Sequence, residues 1–332
     1  MTNEKIRTLK GTPKHLSQVG ELNSFTYLMI NFPYECNFRC KKCFNLMNGK
    51  PRKYKNLISL EDRLNLIEQA SIIGGKAVVF AGEGEPILSN EIECLVKYVN
   101  ECNMIPIIYS NGSMFDSNII DFCKSNNSSI IFSFDSLKEG VFSMKSFEKG
   151  IFPKTIINIT RAIDSLKELT YVKGNLEILS VAINSTISEL NINEVKTLKS
   201  LWEDAYYICN PIAKSGNAVN NWDFFRGALK DEVIHQVIEE NSETGGPLTL
   251  TKKGLCGYSI YGISVSPEGN YMTCAYTNKT DNLLGSIREI KLKEAWENKH
   301  RIESSYYKNF GNTPCLIRSN FFQEYLNQLK EK

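Results

Sequence analysis

The sequence has no long apolar stretch, little charge imbalance and very few histidines. No run of residues reaches the length of a membrane span, and residues 1–15 are too polar for a secretory leader. The formal net charge is only +2, which disfavours binding to nucleic acid or to a membrane surface. The three histidines show no metal-ligand spacing. We therefore predict a cytoplasmic globular protein with neither a nucleic-acid nor a membrane partner.

Ten cysteines are too few for a disulfide scaffold in a chain of 332 residues, yet many for a reduced protein. Cys36, Cys40 and Cys43 form a CxxxCxxC motif. Three thiolates this close together can hold three irons of a cubane iron–sulfur cluster and leave the fourth iron open to a small ligand. Zinc is the main alternative, but structural zinc sites usually have two CxxC pairs. The motif therefore favours an iron–sulfur cluster.

Short apolar segments alternate with helical patterns along the next part of the chain. The six predicted strands span residues 25–32, 76–80, 105–109, 129–134, 175–183 and 205–209. One of the intervening helices begins with Ser59 and Asp62 in the arrangement of a capping box. Continuous apolar strands with helical crossovers predict an α/β fold with a parallel sheet, closed into a barrel or part of one.

A polar or glycine-rich segment follows each predicted strand. The cysteine motif follows the first strand, and the sequence GEGEP at residues 82–86 follows the second. Asn111, Asp135, Asn184 and the turn at residues 210–211 follow the other four strands. Because the loops after parallel strands converge at one edge, we expect all of these residues to line a single mouth.

The cysteine motif and the segment Glu83-Gly84-Glu85-Pro86 together resemble the radical SAM enzymes, over about residues 25–216. The resemblance implies a partial (β/α)6 TIM barrel and a [4Fe-4S] cluster on Cys36, Cys40 and Cys43. It also implies S-adenosylmethionine on the open iron and a reducing electron donor such as flavodoxin or ferredoxin. In that family the glycine-rich loop binds the methionyl amino group, which implies cofactor contacts at Gly82, Glu83, Gly84 and Glu85.

Further cofactor contacts follow from the order of the strands in this family. The resemblance implies such contacts at Asn111, Ser133, Asp135, Asn184 and Ile212. Capping of the following helix is the alternative role for Asn111, Ser133 and Asp135. One residue departs from the family pattern: Lys42 precedes the third cysteine, where an aromatic residue is common. Phe44 is the candidate for the missing ring and hence for a cofactor contact.

Cys256, Cys274 and Cys315 lie in a glycine- and proline-punctuated C-terminal region. The region resembles the SPASM and twitch domains, which implies a small α+β domain with an auxiliary [4Fe-4S] cluster on these three cysteines. A fourth cysteine, usual in such domains, is absent after Cys315. Packing cysteines are the alternative, and we expect the helical Cys94, Cys102 and Cys123 to have only that role.

The sequence divides into five predicted regions. They are a polar N-terminal extension (1–23), the partial barrel (24–216), a linker (217–247), the SPASM/twitch-like domain (248–322) and a terminal helix (323–332).

The implied reaction begins with reductive cleavage of S-adenosylmethionine and removal of a hydrogen atom from a substrate. We expect oxidation or epimerisation of a small polar metabolite such as a sugar, aminocyclitol or nucleoside. Cys209 ends the sixth predicted strand and is a candidate hydrogen-atom donor, with a core position as the alternative. Two other functions remain open: maturation of a ribosomally made peptide, and a non-catalytic iron–sulfur or zinc protein.

Overall fold

The computed structural model describes residues 5–47, 50–142, 150–212, 215–225, 260–275, 283–310, 325 and 328–329. The strands within these ranges are β1 (Ile6–Leu9), β2 (Tyr27–Phe32), β3 (Leu46–Met47), β4 (Lys50–Pro51), β5 (Ala77–Gly82), β6 (Ile105–Ser110), β7 (Ser129–Ser133), β8 (Tyr171–Lys173), β9 (Leu176–Leu179), β10 (Val181–Ile187), β11 (Tyr206–Pro211), β12 (Gly262–Val265) and β13 (Tyr271–Met272).

The helices within the same ranges pack mainly on the outside of the sheet. They are α1 (Pro13–Gln18), α2 (Leu60–Ile72), α3 (Ile92–Glu101), α4 (Ser117–Ser125), α5 (Glu139–Phe142), α6 (Ile151–Leu166), α7 (Val195–Leu201), α8 (Asn217–Asn220) and α9 (Leu292–Phe310), with short 3-10 turns at Pro86–Leu88, Lys167–Leu169 and Ile192–Glu194. In this part of the chain no helix has both the length and the apolar character needed to cross a membrane.

An eight-stranded sheet organises the fold, in the order β11-β10-β7-β6-β5-β2-β12-β13. Its first six strands run parallel and confirm the predicted α/β partial barrel. The strand predicted at 175–183 is two strands, because β9 leaves the barrel to pair with β1 and β10 begins at Val181. The mouth of the barrel is the edge at which these parallel strands end.

Buried residues alternate between two faces of the sheet, as the period of two along a strand requires. Along β11, Tyr206 and Ile208 belong to an interior cluster that also contains Met29. Tyr207 and Cys209 belong instead to the cluster that includes residues of the surrounding helices, such as Leu198 of α7. The barrel therefore has an apolar interior and a separate apolar layer beneath its helices.

The N-terminal residues form a strand and a helix that pack against the barrel, and they are not an extension. Strand β1 pairs in parallel with β9, from Ile6 opposite Leu176 onward. Leu9 and Leu16 are fully buried and join the interior cluster. The prediction of a polar extension is therefore wrong for residues 6–18, because two apolar side chains outweigh the polar composition of this stretch.

The C-terminal region continues the barrel sheet. Strand β12 pairs in parallel with β2, with Gly262 opposite Tyr27, and β13 then pairs antiparallel with β12. Helix α9 packs near α2, where the ring centroids of Trp296 and Phe25 are 5.2 Å apart. The described strands and helix of the predicted C-terminal domain thus build directly on the barrel. Cys256, Cys315 and most of the predicted linker lie outside the described residues.

Candidate active site

The cysteine loop follows β2 at the mouth of the barrel. Cys36, Cys40 and Cys43 are all partly buried and none forms a disulfide. The backbone N–H of Cys43 donates to the carbonyl of Cys40 at 3.1 Å, which draws the second half of the motif into a tight turn. Arg39 closes the first half, because its guanidinium donates to the carbonyl of Cys36 at 2.6 Å. The three thiols therefore share one compact loop.

Cys36 has the best-defined surroundings of the three. Its sulfur accepts from the backbone N–H of Phe38 at 3.4 Å and lies 4.0 Å from Nδ2 of Asn111. Burial, followed by the nearby Glu85 and Cys43, raises the pKa of the Cys36 thiol to about 11. A thiol of this kind becomes a thiolate when a positively charged metal replaces its proton. No three acidic, histidine or cysteine side chains in the described ranges are grouped around a single-ion site.

The GEGEP loop packs directly on the backbone that leads into the cysteine loop. A Cβ atom on Gly84 would lie 2.5 Å from the carbonyl oxygens of Pro33 and Glu35. The N–H of Glu85 donates to that carbonyl of Glu35 at 2.7 Å, and the N–H of Glu83 donates to Phe32 at 3.2 Å. Only glycine allows this close approach. The structure thus brings the two predicted motifs together.

Glu85 provides the test of whether these residues suit S-adenosylmethionine. One carboxylate oxygen, Oε2, accepts from the N–H of Asn111 at 2.7 Å. The other, Oε1, is buried and has no hydrogen-bond partner within the described residues. Burial raises the pKa of Glu85 to about 7. A buried acceptor with spare capacity suits a cationic group such as the methionyl ammonium, and the nearby Cys36 thiol belongs to the motif that suits the cluster.

A cavity lies next to the cysteine loop. Its lining includes Lys42 and Asp135, which form a 2.6 Å ion pair. It also includes Thr186, Ile212 and Phe225. Carboxylate, hydroxyl and apolar groups in one concave site suit a nucleoside, which has hydroxyls on one side and a flat base on the other.

Asp135 contacts the cysteine loop and strand β10. Its Oδ1 accepts from Lys42 and from the N–H of Thr186, the latter at 2.9 Å. The cap of α4 is Asp116, whereas Oδ1 of Asn111 accepts from the N–H of Ser113 in a local turn. Asp135 and Ile212, which are both predicted cofactor contacts, line the cavity. Asn111 lies between Glu85 and the cysteine loop.

The remaining predicted cofactor contacts outside the glycine-rich loop are Ser133, Asn184 and Phe44. Ser133 and Asn184 are register partners on β7 and β10, and the side chain of Asn184 accepts from Asn210 at 2.8 Å. Both therefore lie at the mouth. Phe44 is not among the described residues that line the cavity; Phe225 supplies the aromatic side chain there.

Asn217 is a site residue that the sequence assigned to the linker. Its backbone N–H donates to the carbonyl of Cys43 at 2.9 Å, and its Nδ2 donates to Cys40 at 3.1 Å. Gly216 precedes it with φ 56°, where a Cβ atom would lie 2.4 Å from the backbone of Phe44. Asn217 thus anchors two of the three cysteines. Gly216, which follows the sixth strand, was the sequence signal that could have indicated a close backbone approach here.

Cys209 does not face the mouth. It is 1% exposed and belongs to the cluster beneath the helices, while its neighbours Ile208 and Asn210 alternate to the other face of β11. The prediction of a hydrogen-atom donor at this position is therefore not supported, and the core alternative describes its position. Cys274 lies just beyond β13 and is partly buried. The auxiliary cluster stays a prediction, because Cys256 and Cys315 are outside the described residues.

Sequence comparison identifies a domain and several relatives. Residues 30–184, from β2 into β10, match the Radical SAM superfamily model. The GTP 3′,8-cyclase of Clostridium perfringens (strain SM101) is 24% identical over 300 residues, which cover 81% of this chain and 87% of that protein. The Fe-coproporphyrin III synthase of Methanosarcina barkeri is 24% identical over 199 residues, or 60% of this chain. The chain spans 46% of that second relative.

Comparison with solved structures supports the same fold. The structure of anSMEcpe with bound AdoMet and the Cp18Cys peptide superposes with a TM-score of 0.56 at 14% identity. The match covers 92% of this chain and 96% of that one. Radical SAM proteins use a [4Fe-4S] cluster and S-adenosylmethionine, the two groups that the cysteine loop and Glu85 suit. The domain match, the barrel and the cysteine motif agree, so this chain contains a Radical SAM domain over residues 30–184.

Proposed function

We propose that this radical SAM enzyme oxidises a small polar metabolite, such as a sugar, aminocyclitol or nucleoside, held in the mouth of the barrel. Cys36, Cys40 and Cys43 would hold the cluster, which together with S-adenosylmethionine would supply the radical chemistry that removes a hydrogen atom from the substrate. The proposed oxidation is completed when the substrate loses one further electron and one proton.

The observation that carries this proposal is that the side chains inside the barrel change from apolar to polar towards its mouth. Tyr27 and Met29 on β2 are apolar core residues, and the next residue on that face is Asn31. Asn31 donates from Nδ2 to Oγ of Ser264 at 2.7 Å, and its Oδ1 has no hydrogen-bond partner among the described residues. Amide and hydroxyl groups in this position suit a substrate with several hydroxyl or amino groups.

A second polar pair lies on other strands at the same edge. Asn210 donates to Asn184 at 2.8 Å, and both side chains are only partly buried. Asn210 lies on the same face of β11 as the apolar Ile208, and Asn184 lies on the same face of β10 as the apolar Ala182. Strands β10 and β11 therefore contribute partly exposed polar side chains, and β2 and β12 contribute fully buried ones beside them. This polar layer above an apolar floor suits a ligand that is oriented by hydrogen bonds and kept from water.

Oxidation is favoured over epimerisation by the position of Cys209. An epimerase of the expected kind needs a thiol that reaches the substrate, and Cys209 packs beneath the helices. The electron released in the oxidation requires an acceptor, and we assign that role to an auxiliary [4Fe-4S] cluster on Cys256, Cys274 and Cys315. A flavodoxin or ferredoxin is the proposed reductant. We place the protein in the cytoplasm, where thiolate ligands stay reduced.

Peptide maturation is the second candidate function. The similar structure of anSMEcpe contains a peptide beside AdoMet, and the likeness is one of fold. The two candidates differ in the substrate that stimulates turnover, so a panel of sugars, aminocyclitols and nucleosides should be compared with short synthetic peptides. Loss of two hydrogens from a small molecule supports the proposal, whereas conversion of a peptide alone contradicts it.

The basic reaction is tested with anaerobically reconstituted protein, dithionite and S-adenosylmethionine. We expect 5′-deoxyadenosine from the wild type and none from Cys36→Ala, Cys40→Ala or Cys43→Ala. Cys94→Ala is the matched control, because Cys94 is exposed on α3. A wild type that contains the cluster but forms no 5′-deoxyadenosine would overturn the enzymatic proposal in favour of a non-catalytic iron–sulfur protein, and a wild type that binds zinc in place of iron would favour the zinc alternative.

The auxiliary cluster needs a separate measurement. We expect the double variant Cys256→Ala/Cys274→Ala to lose about four iron atoms per chain, as one cubane contains, and to keep cleaving S-adenosylmethionine. An iron content equal to that of the wild type would show that these cysteines hold no cluster.

A further inference from the structure

Glu83 is a buried carboxylate within the glycine-rich loop and is only 2% exposed. Arg52 holds it from two sides, with Nη2 3.1 Å from Oε1 and Nε 3.5 Å from Oε2. The hydroxyl of Tyr54 donates to Oε2 at 2.7 Å. A buried carboxylate is tolerated when it is paired and hydrogen-bonded in this way. The segment after β4 therefore determines where the side chain of Glu83 lies.

The same guanidinium binds a second carboxylate from a distant part of the chain. Nη1 of Arg52 contacts Oε2 of Glu268, which lies in the turn between β12 and β13. Oε1 of Glu268 accepts from the backbone N–H of Lys55 at 2.9 Å. Arg52 thus lies between Glu83 and Glu268, two glutamates that are far apart in the sequence.

The turn itself is pinned to the same segment. The N–H of Ile58 donates to the carbonyl of Pro267 at 3.0 Å, and Gly269 packs so closely that a Cβ atom would lie 2.8 Å from the side chain of Ile58. Arg288 also holds the turn, because it donates to the carbonyl of Glu268 at 2.6 Å and to that of Asn56 at 3.2 Å. The turn leads through β13 to Cys274.

We propose that Arg52 is a positioning residue that couples the glycine-rich loop to the β12–β13 turn, so that Glu268 sets the affinity for S-adenosylmethionine without touching it. This inference rests on the proposed cofactor site. The physical reason is that Arg52 is the counter-charge of Glu83 and is itself anchored by Glu268. Without Arg52, Glu83 is a buried negative charge that draws the loop towards water. Without Glu268, the guanidinium loses one of its two anchors and holds Glu83 less firmly.

Hydrogen–deuterium exchange of the cluster-free protein tests the coupling without any catalysis. We expect Arg52→Gln and Glu268→Gln each to speed exchange about tenfold in both residues 82–86 and residues 266–270, as a weakened charge-assisted contact implies. Arg288→Gln is the matched control, because Arg288 contacts the turn and the backbone of Asn56 but neither Arg52 nor Glu83. It should speed exchange in the turn alone. Unchanged exchange in the loop of both test variants would overturn the proposal.

Binding of S-adenosylmethionine to the reconstituted protein is the second arm. We expect Kd to rise about tenfold or more in Arg52→Gln and about threefold in Glu268→Gln, with Arg52→Lys between wild type and Arg52→Gln because lysine lacks the forked geometry. Equal Kd values in wild type, Arg52→Gln and Glu268→Gln would refute the coupling. If the wild type binds no S-adenosylmethionine, the proposed cofactor site fails, and the exchange experiment still decides whether the two segments are coupled.

Discussion

Lys42 and Asp135 form a 2.6 Å ion pair whose side chains are 16% and 10% exposed. Lys42 occupies the position before the third cysteine, and its partner lies just beyond β7. The pair therefore ties the cysteine loop to the opposite part of the sheet at the edge of the cavity. Phe44 stays the predicted aromatic contact, and Phe225 is an aromatic residue that lines the cavity.

Removal of this pair should affect both stability and cofactor binding. We expect Lys42→Ala to lower the free energy of unfolding by about 1–2 kcal/mol, between the ranges for exposed and buried pairs, and to weaken S-adenosylmethionine binding several-fold. Denaturant unfolding and equilibrium binding measure the two effects. Lys124→Ala is the matched control, because the pair of Lys124 with Glu168 is exposed. Equal losses in both variants would contradict the special role of Lys42.

Gly84 should tolerate no side chain. In Gly84→Ala the new Cβ atom would lie 2.5 Å from two backbone carbonyl oxygens, so the loop must move away from the cysteine loop. We expect S-adenosylmethionine binding to fall at least tenfold, since loop and cluster then no longer converge. Gly140→Ala is the control, because nothing lies within 4 Å of a Cβ atom there. Normal binding by Gly84→Ala would show that the loop position is unimportant.

Glu85 should give the cluster-free protein a distinctive pH dependence. Burial raises its pKa in the folded chain to about 7, from 4.5. The folded chain therefore retains a proton that the unfolded chain has lost, so stability falls as the pH rises from about 4.5 to about 7 and is constant above that. The difference corresponds to about 3 kcal/mol.

Denaturant unfolding of the cluster-free protein at several pH values measures this effect. We expect Glu85→Gln to lack the fall in stability between about pH 4.5 and 7, because glutamine does not ionise. Glu93→Gln is the control, since the side chain of Glu93 is 68% exposed. Parallel pH profiles for wild type and Glu85→Gln would mean that the carboxyl group is not buried as described.

Cys209 should matter for stability and not for chemistry. We expect Cys209→Ala to lower the free energy of unfolding by about 1 kcal/mol through the small cavity that it leaves, and to keep both 5′-deoxyadenosine formation and product formation. Assays of both products below the unfolding transition separate the two effects. A stable Cys209→Ala enzyme that cleaves S-adenosylmethionine yet makes no product would restore the cysteine as a hydrogen-atom donor.

Local signals in the sequence were sufficient for much of the fold. The capping box is one example: Oγ of Ser59 accepts from the N–H of Asp62 at 3.1 Å, and the Asp62 side chain accepts from Ser59 at 2.8 Å. The strands of the barrel followed from apolar runs, and the glycines of the GEGEP loop marked a close backbone approach. These features depend on residues near one another in the chain, so a pattern of a few residues specifies them.

Long-range pairings were beyond the reach of such patterns. Residues 1–23 were predicted to be an extension, yet β1 pairs with β9. Strand β12, from the C-terminal region, pairs with β2 of the barrel. Short strands carry little periodicity, and their partners lie far away in the chain. Asn217 was assigned to a linker for the same reason, because its contacts with Cys40 and Cys43 exist only when the barrel is assembled.

The sequence alone determined the chemistry of this protein: three cysteines, a glycine-rich acidic loop and six strands that bring them to one edge. Spacing is sufficient there, because these three cysteines are close along the chain and the ends of parallel strands converge at one edge. Only the tertiary structure decided which way side chains point and which distant charges meet. In the folded chain Cys209 packs beneath the helices, and Arg52 joins Glu83 to Glu268. The direction of a side chain and a long-range ion pair both arise from packing, so they leave no local pattern in the sequence.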